Sequence, residues 1–304
     1  MRLVCFNPKN LTHAGERRYR LGALIDEDQI ADLTPSILPM GLSGAEILRC
    51  YDLAAGFVGP AMEAVESGEL PIVSLDDIRL EAPVPRPSKI ICIGLNYLDH
   101  VTESGAEIPK APLIFSKFDT CVCASEQPIL LPTGSEQVDF EAELAVVIGR
   151  RAKNIDPEKA MDHVFGYTNF NDVSARDMQF ADGQWQRGKS CDTFAPFGPF
   201  VATKDEIADP HKLRIQFRLN DETMQDSNTD QLIFRIPELI EYISRSTTLE
   251  PGDIIATGTP PGVGFARKPP IFLKDGDICE VEVEGLGILY NVVSAGRPLD
   301  YGAF

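Results

Sequence analysis

The chain has 304 residues, 43% hydrophobic and 24% charged, with a formal net charge of −18 and a pI near 4.6. The composition is that of an ordinary globular protein, long enough to bury a core without disulfide or metal staples. The acidic surplus argues against nucleic acid and anionic membranes as partners, and the absence of an 18-residue apolar run predicts no membrane span.

The N-terminal MRLVCFNPKN reads as a strand. It has neither a signal-peptide apolar core nor an Arg/Ser-rich transit pattern. A cytoplasmic location is therefore expected, with the mitochondrial matrix as the alternative. The seven cysteines (5, 50, 92, 121, 123, 191, 279) are scattered without a CxxC pair, which points to reduced thiols. The four histidines (13, 100, 163, 211) form no zinc spacing with them.

Residues 1–80 read as a small α+β domain. MRLVCF and YRLGALID suit strands, and AEILRCYDLAAGFVGPAMEAVESG has helical apolar spacing. The segment 81–88, within EAPVPRPSK, is a Pro-rich connector, because proline interrupts ladders and helices alike. From residue 89 to 304 the texture is short strands between Gly, Pro and Asp turns. Candidates are APLIFSK, PILLP, FEAELAVVIG, HVFGYTNFND, GPFVAT, KLRIQFRLND, DIIATG, ICEVEVEG and GILYNVV. Two helices are predicted, over 96–105 and over 237–246, the second with proline at its start. Many strands and few helices predict an α+β, β-rich fold with a mixed β core.

In VDFEAELAVVIG (138–149), Asp139, Glu141 and Glu143 alternate with apolar residues. A strand would place these acids on one face, about 6–7 Å apart. Glu141 and Glu143 could each give an oxygen to one hard cation; a solvated acidic face is the competing reading. Asp172 adds a third carboxylate where the apolar strand HVFGYTNFND should end. Three carboxylates would leave about three positions on Mg²⁺ or Mn²⁺ for water and a chelating substrate.

His100 and Glu103 stand at i,i+3 in NYLDHVTE, on one helix face. A carboxylate orients an imidazole and raises its basicity, as a general base requires; an ordinary surface pair has the same spacing. Downstream, a helix over 173–180 would project Asp172, Arg176 and Gln179 to one side, with Lys189 close behind. These are the local cations that an anionic substrate needs on so acidic a chain, although surface acids could equally claim them. The intervening ADGQWQRG suits a loop. TGTPPGVG (257–264) lacks the order of a phosphate loop, and Thr259 could either bind a carboxylate or simply shape a turn.

Taken together, GLNYLDH with a glutamate three residues on, VDFEAELAVVIG, NDVSARDMQ, GKSCDTFAPFGP and GDIIATGTPPGVG resemble the fumarylacetoacetate hydrolase superfamily. The likeness runs in order from about residue 89 to 293 and more loosely through the N-terminal unit. It implies a β-roll catalytic domain that forms a homodimer. It also implies metal ligands at Glu141, Glu143 and Asp172, with Mg²⁺ or Mn²⁺ as cofactor and Ca²⁺ as a possible substitute. His100 and Glu103 fall on the family's acid/base pair, on a segment that orders over ligand in relatives. Lys189 falls on its active-site lysine, and Arg176, Gln179 and Thr259 on its substrate contacts. Asp139 matches no ligand and is expected behind the metal ligands.

The expected activity is hydrolysis of a C–C bond in 2,4-dioxo acids through a metal-bound pyruvate enolate. The alternative is an oxaloacetate keto–enol tautomerase or decarboxylase using the same site on a small anionic 2-oxo acid. A non-catalytic binding protein on this scaffold is the third reading, disfavoured by the joint presence of His100, Glu103 and Lys189.

Overall fold

The computed structural model describes residues 1–9, 19–37, 60, 63–181 and 183–296. Most of the helix expected between residues 45 and 68 lies outside them. The long apolar strands of the sequence form the centre of the molecule. β11 (Ala142–Ile148) and β12 (Val164–Asn171) are buried along their whole length and pair antiparallel, with Ala142 opposite Asn171 and Glu143 opposite Phe170. Burial on both sides explains why AELAVVI is apolar after its glutamate.

β17 (Ile254–Ala256) flanks β11 and runs parallel to β6 (Ile90–Gly94), which carries β7 (Leu113–Lys117) at the sheet edge. On the other side β12 pairs with β14 (Ala195–Thr203). β14 in turn pairs with β1 (Arg2–Pro8), whose neighbours are β2 (Arg20–Leu24) and β5 (Ile78–Glu81). The N-terminal strands thus extend the main sheet, and the proline segment carries the chain from β5 to β6.

A second sheet holds β15 (Arg214–Leu219), β16 (Glu222–Asn228), β18 (Ile278–Val283) and β19 (Ile288–Ser294). It packs on the first through Phe140 and Phe217, stacked with centroids 4.1 Å apart. Buried Asn169 of β12 ties the sheets as well, donating to the carbonyls of Leu286 and Gly287 and accepting from Val283 N–H. Such a side chain satisfies backbone groups that no ladder reaches. The mixed, β-rich architecture expected from the sequence is the one observed.

Both predicted helices form, as Leu98–Ser104 and Ile236–Ser246. The first ends at Gly105, whose φ of 65° is the left-handed cap that glycine adopts without strain. A helix beginning at residue 173 does not form. Ser174–Ala175 instead pairs with Val138–Asp139, and the helix starts at Arg176 and runs to Ala181. The stretch expected as a loop contains a short helix, Gln186–Lys189. Trp185 anchors it, edge-on to Phe115 with centroids 5.4 Å apart.

Candidate metal centre

Two adjacent strand ends create the site. Glu141 immediately precedes β11, Glu143 is the second residue of β11, and Asp172 follows the last residue of β12. Asp172 N–H donates to the Glu141 carbonyl at 2.9 Å, and Glu141 N–H donates to Asn171 Oδ1 at 3.1 Å. These bonds lock the two ends together. One carboxylate oxygen from each of Glu141, Glu143 and Asp172 lies within 4.8 Å of the others, and all three residues are buried.

Asp139 does not share their face. The strand is interrupted at Phe140 and Glu141, where Asp139 Oδ1 accepts from Phe140 N–H and the Phe140 ring turns into the contact with Phe217. Asp139 accepts two bonds from Arg176, at 2.9 and 2.8 Å, and others from the N–H groups of Gly264 and Phe265. Its part is to hold Arg176, which also donates to Glu141 Oε1 at 2.6 Å and to Gln179 Oε1 at 3.0 Å. Arg176 and Gln179 therefore meet as expected, whereas Asp172 reaches the site from the strand end.

Lys189 donates to Glu141 Oε2 at 2.8 Å and Asp172 Oδ2 at 2.7 Å, with its ammonium 5.0 Å from the Phe115 ring centroid. Burial pulls the Lys189 pKa down, but Asp172 and Glu141 together hold it above its ordinary value. Burial likewise opposes the charge on Glu141, yet Lys189 and Arg176 bring its pKa down to about 2. Glu143 behaves differently. Burial, then the charges of Asp172 and Glu141, raise its pKa well above the carboxylate range. Its partner is the Gly258 N–H at 2.9 Å, and among the described residues it has no cationic neighbour in bonding contact.

Two participants escaped the sequence reading. Lys117, at the end of β7, donates to Asp172 Oδ1 and, at 3.0 Å, to the Val173 carbonyl. Gln225 of β16 accepts from Ala142 N–H at 2.9 Å and donates to Thr259 Oγ1 and the Pro260 carbonyl, both at 2.8 Å. It joins the glutamate strand to the TPPG loop, so the Thr259 hydroxyl acts as an acceptor. Cys92 is also buried, and its thiol is pushed well above its ordinary range by burial first and Asp172 second. That disfavours the thiolate.

His100 and Glu103 pair as expected, Nδ1 to Oε2 at 3.3 Å. Both Glu103 oxygens also lie 3.2 Å from the Gly262 N–H. The His100 helix is thereby fastened to the loop whose Gly258 holds Glu143. Asp99 adds a second tether by accepting from Ser227 of β16.

Four carboxylates, Asp139, Glu141, Glu143 and Asp172, thus meet three cations, Lys117, Arg176 and Lys189. The uncompensated member is Glu143, and the donors are all carboxylate oxygens. That combination fits a hard divalent cation.

The family model described as "Fumarylacetoacetate (FAA) hydrolase C-terminal" matches residues 89–294. The chain belongs to the fumarylacetoacetate hydrolase family. Among its family relatives, "Oxaloacetate tautomerase FAHD2A, mitochondrial" of Bos taurus is 44% identical over 297 residues, covering 96% of this chain and 91% of that protein. The Homo sapiens protein of the same name is 42% identical with the same coverage. Among solved structures, a fumarylacetoacetate hydrolase from Exiguobacterium antarcticum superposes with a TM-score of 0.80 at 34% identity, covering 97% of this chain and all of that one. Maleylpyruvate hydrolase from Sphingobium sp. SYK-6, in complex with manganese(II) and pyruvate, gives 0.78 at 32% identity over 98% of this chain and 100% of that one.

In this member of the fumarylacetoacetate hydrolase family the two short helices behind the site are packed through a glycine. A Cβ on Gly188 would stand 2.4 Å from Gln179 N and 2.6 Å from the Ala175 carbonyl oxygen, both backbone atoms that cannot rotate away. Gly188→Ala is expected to cost about 1–3 kcal/mol of stability, read by urea unfolding.

Proposed function

We propose that the chain is an oxaloacetate keto–enol tautomerase that uses Mg²⁺ or Mn²⁺ and works as a homodimer on a small anionic 2-oxo acid. The observation that carries this reading is the buried Glu141–Glu143–Asp172 cluster, with its uncompensated carboxylate, in a chain 44% identical to an oxaloacetate tautomerase over 96% of its length. This reverses the order of the two activities expected from the sequence. Hydrolysis of a 2,4-dioxo acid becomes the second reading, supported by the likeness to maleylpyruvate hydrolase. The relatives' names carry "mitochondrial", which is compatible with the matrix alternative for location.

Glu141, Glu143 and Asp172 would hold the divalent cation, which would supply Lewis-acid stabilisation of enolate character in a bound 2-oxo acid. The chain's own groups do the rest. Ketonisation removes the proton from the C2 enol oxygen and places one on C3. We assign that transfer to His100, whose ring Glu103 orients. Lys189 adds positive charge beside the ligands, where low dielectric makes it effective. Four of the five N–H donors of Arg176 are engaged by Asp139, Glu141 and Gln179, which leaves one Nη1 hydrogen to reach the substrate beside its electrostatic contribution. Gln179 and Thr259 supply polar contacts to the substrate.

The test is turnover of metal-stripped protein, with and without Mg²⁺ or Mn²⁺, on enol-oxaloacetate, keto-oxaloacetate and acetylpyruvate in parallel. Metal-dependent loss of the enol without pyruvate release is expected. Faster pyruvate release from acetylpyruvate would put the hydrolase first, and release from keto-oxaloacetate would mark a decarboxylase. Tight metal binding with no turnover would leave the non-catalytic reading. His100→Gln should slow enol–keto exchange by about 10²–10⁴-fold while leaving cation affinity unchanged.

A further inference from the structure

Each of the three carboxylates has one oxygen held by a donor other than Lys189. For Asp172 it is Oδ1, held by Lys117; for Glu141, Oε1, held by Arg176; for Glu143, Oε2, held by the Gly258 N–H. The remaining oxygens are Asp172 Oδ2, Glu141 Oε2 and Glu143 Oε1. Lys189 bridges the first two, and a carboxylate oxygen has lone pairs enough to accept from an ammonium and still bind a cation.

Lys117 is the least expected of these holders. Its side chain and that of Asp172 are both 0% exposed. Lys189 pairs with the other oxygen of the same carboxylate, so Lys117 is a second cation on Asp172. The Val173 carbonyl accepts from the same ammonium and gives Lys117 a second anchor. A buried lysine anchored at two points restricts a carboxylate's rotation, which disfavours the turn that would bring both oxygens onto one cation.

We propose that Lys117 is a positioning residue that keeps Asp172 a one-oxygen ligand, and that with Arg176 and the Gly258 N–H it makes this site select Mg²⁺ or Mn²⁺ over Ca²⁺. The inference rests on the metal reading above and goes further, against the Ca²⁺ substitution expected from the family resemblance. Mg²⁺ needs near-octahedral coordination with short bonds, which three one-oxygen ligands plus solvent or substrate supply. Ca²⁺ takes six to eight oxygens at longer distances, commonly with a two-oxygen carboxylate, and the pinned set resists that arrangement.

The experiment is titration calorimetry of metal-stripped wild type and Lys117→Met with Mn²⁺ and with Ca²⁺. Both cations carry the same charge, so the loss of a lysine charge alone shifts both affinities together and cancels in their ratio. Wild type should prefer Mn²⁺ by at least about tenfold, and Lys117→Met should shrink that preference by about 10–100-fold. A wild-type ratio near one, or an unchanged ratio in the variant, would overturn the proposal. Absence of binding by either cation to wild type would instead remove the metal reading itself. Should Lys117→Met fail to fold, X-ray absorption on Mn²⁺-loaded wild type decides. Six oxygens with every carboxylate bound through one oxygen support the pins, and a two-oxygen carboxylate refutes them.

Discussion

Glu143→Gln is expected to abolish tight cation binding and lower turnover by at least about 10²-fold, while making the metal-free protein more stable. The two effects share one cause. Glu143 is buried with, among the described residues, a single backbone N–H as partner, so its charge is useful only when a cation is present. Glutamine keeps the shape and an acceptor for Gly258 N–H, and is neutral beside Glu141 and Asp172 without having to hold a proton. A gain of about 1–3 kcal/mol follows from relieving a buried, poorly compensated group.

The pH dependence gives this prediction a second readout. With its pKa raised in the folded state, Glu143 keeps a proton there that the unfolded chain has lost above its ordinary value of 4.5. Its contribution to stability is therefore fully present below that pH and is lost as pH rises through the folded pKa. Glu141 works in the opposite sense and in a lower window. With a folded pKa of about 2, it adds stability above 4.5 and loses it as pH falls toward 2. Urea unfolding of EDTA-treated protein should show wild type weakening above pH 4.5, with that slope reduced in Glu143→Gln. An unchanged slope and no gain in stability would mean that Glu143 is not the strained member.

The parts of this site that the sequence made legible are those encoded within a few residues. Glu141 and Glu143 obey the period of a strand, and Asp172 stands where an apolar strand must end. His100 and Glu103 obey the period of a helix. The family motifs then joined these pieces across the chain. Lys117 and Gln225 were illegible because their signals are non-local. Lys117 lies 55 positions from the carboxylate it holds, and Gln225 lies 83 positions from the Ala142 N–H it receives. A lysine closing a strand and a glutamine within one are unremarkable until the sheets are assembled. The same reason defeated the helix expected from residue 173. Its periodicity is sound locally, but Ser174 and Ala175 are claimed by pairing with Val138 and Asp139. Asp139 shows the converse, an alternation that is real in the sequence and broken by the bend that sends Phe140 into the second sheet.

Lys189→Met should reverse the stability result obtained with Glu143. Lys189 neutralises two buried carboxylates at once, and methionine cannot donate to Glu141 Oε2 or Asp172 Oδ2. Removing one partner of a buried ion pair typically costs about 3–5 kcal/mol, because the other charge stays behind without compensation. Arg176 and Lys117 still hold the far oxygens, so the metal-free variant should fold but unfold at markedly lower urea concentration. Mn²⁺ should then stabilise Lys189→Met more than it stabilises wild type, since a divalent cation supplies the charge that the lysine gave. Turnover should stay depressed by about 10²–10³-fold even when the variant is saturated with metal, because the donor that we propose acts on the substrate is gone. Recovery of both stability and turnover with Mn²⁺ would show that Lys189 only balances charge. Recovery of stability alone would separate its two roles, one toward the ligands and one toward the reaction.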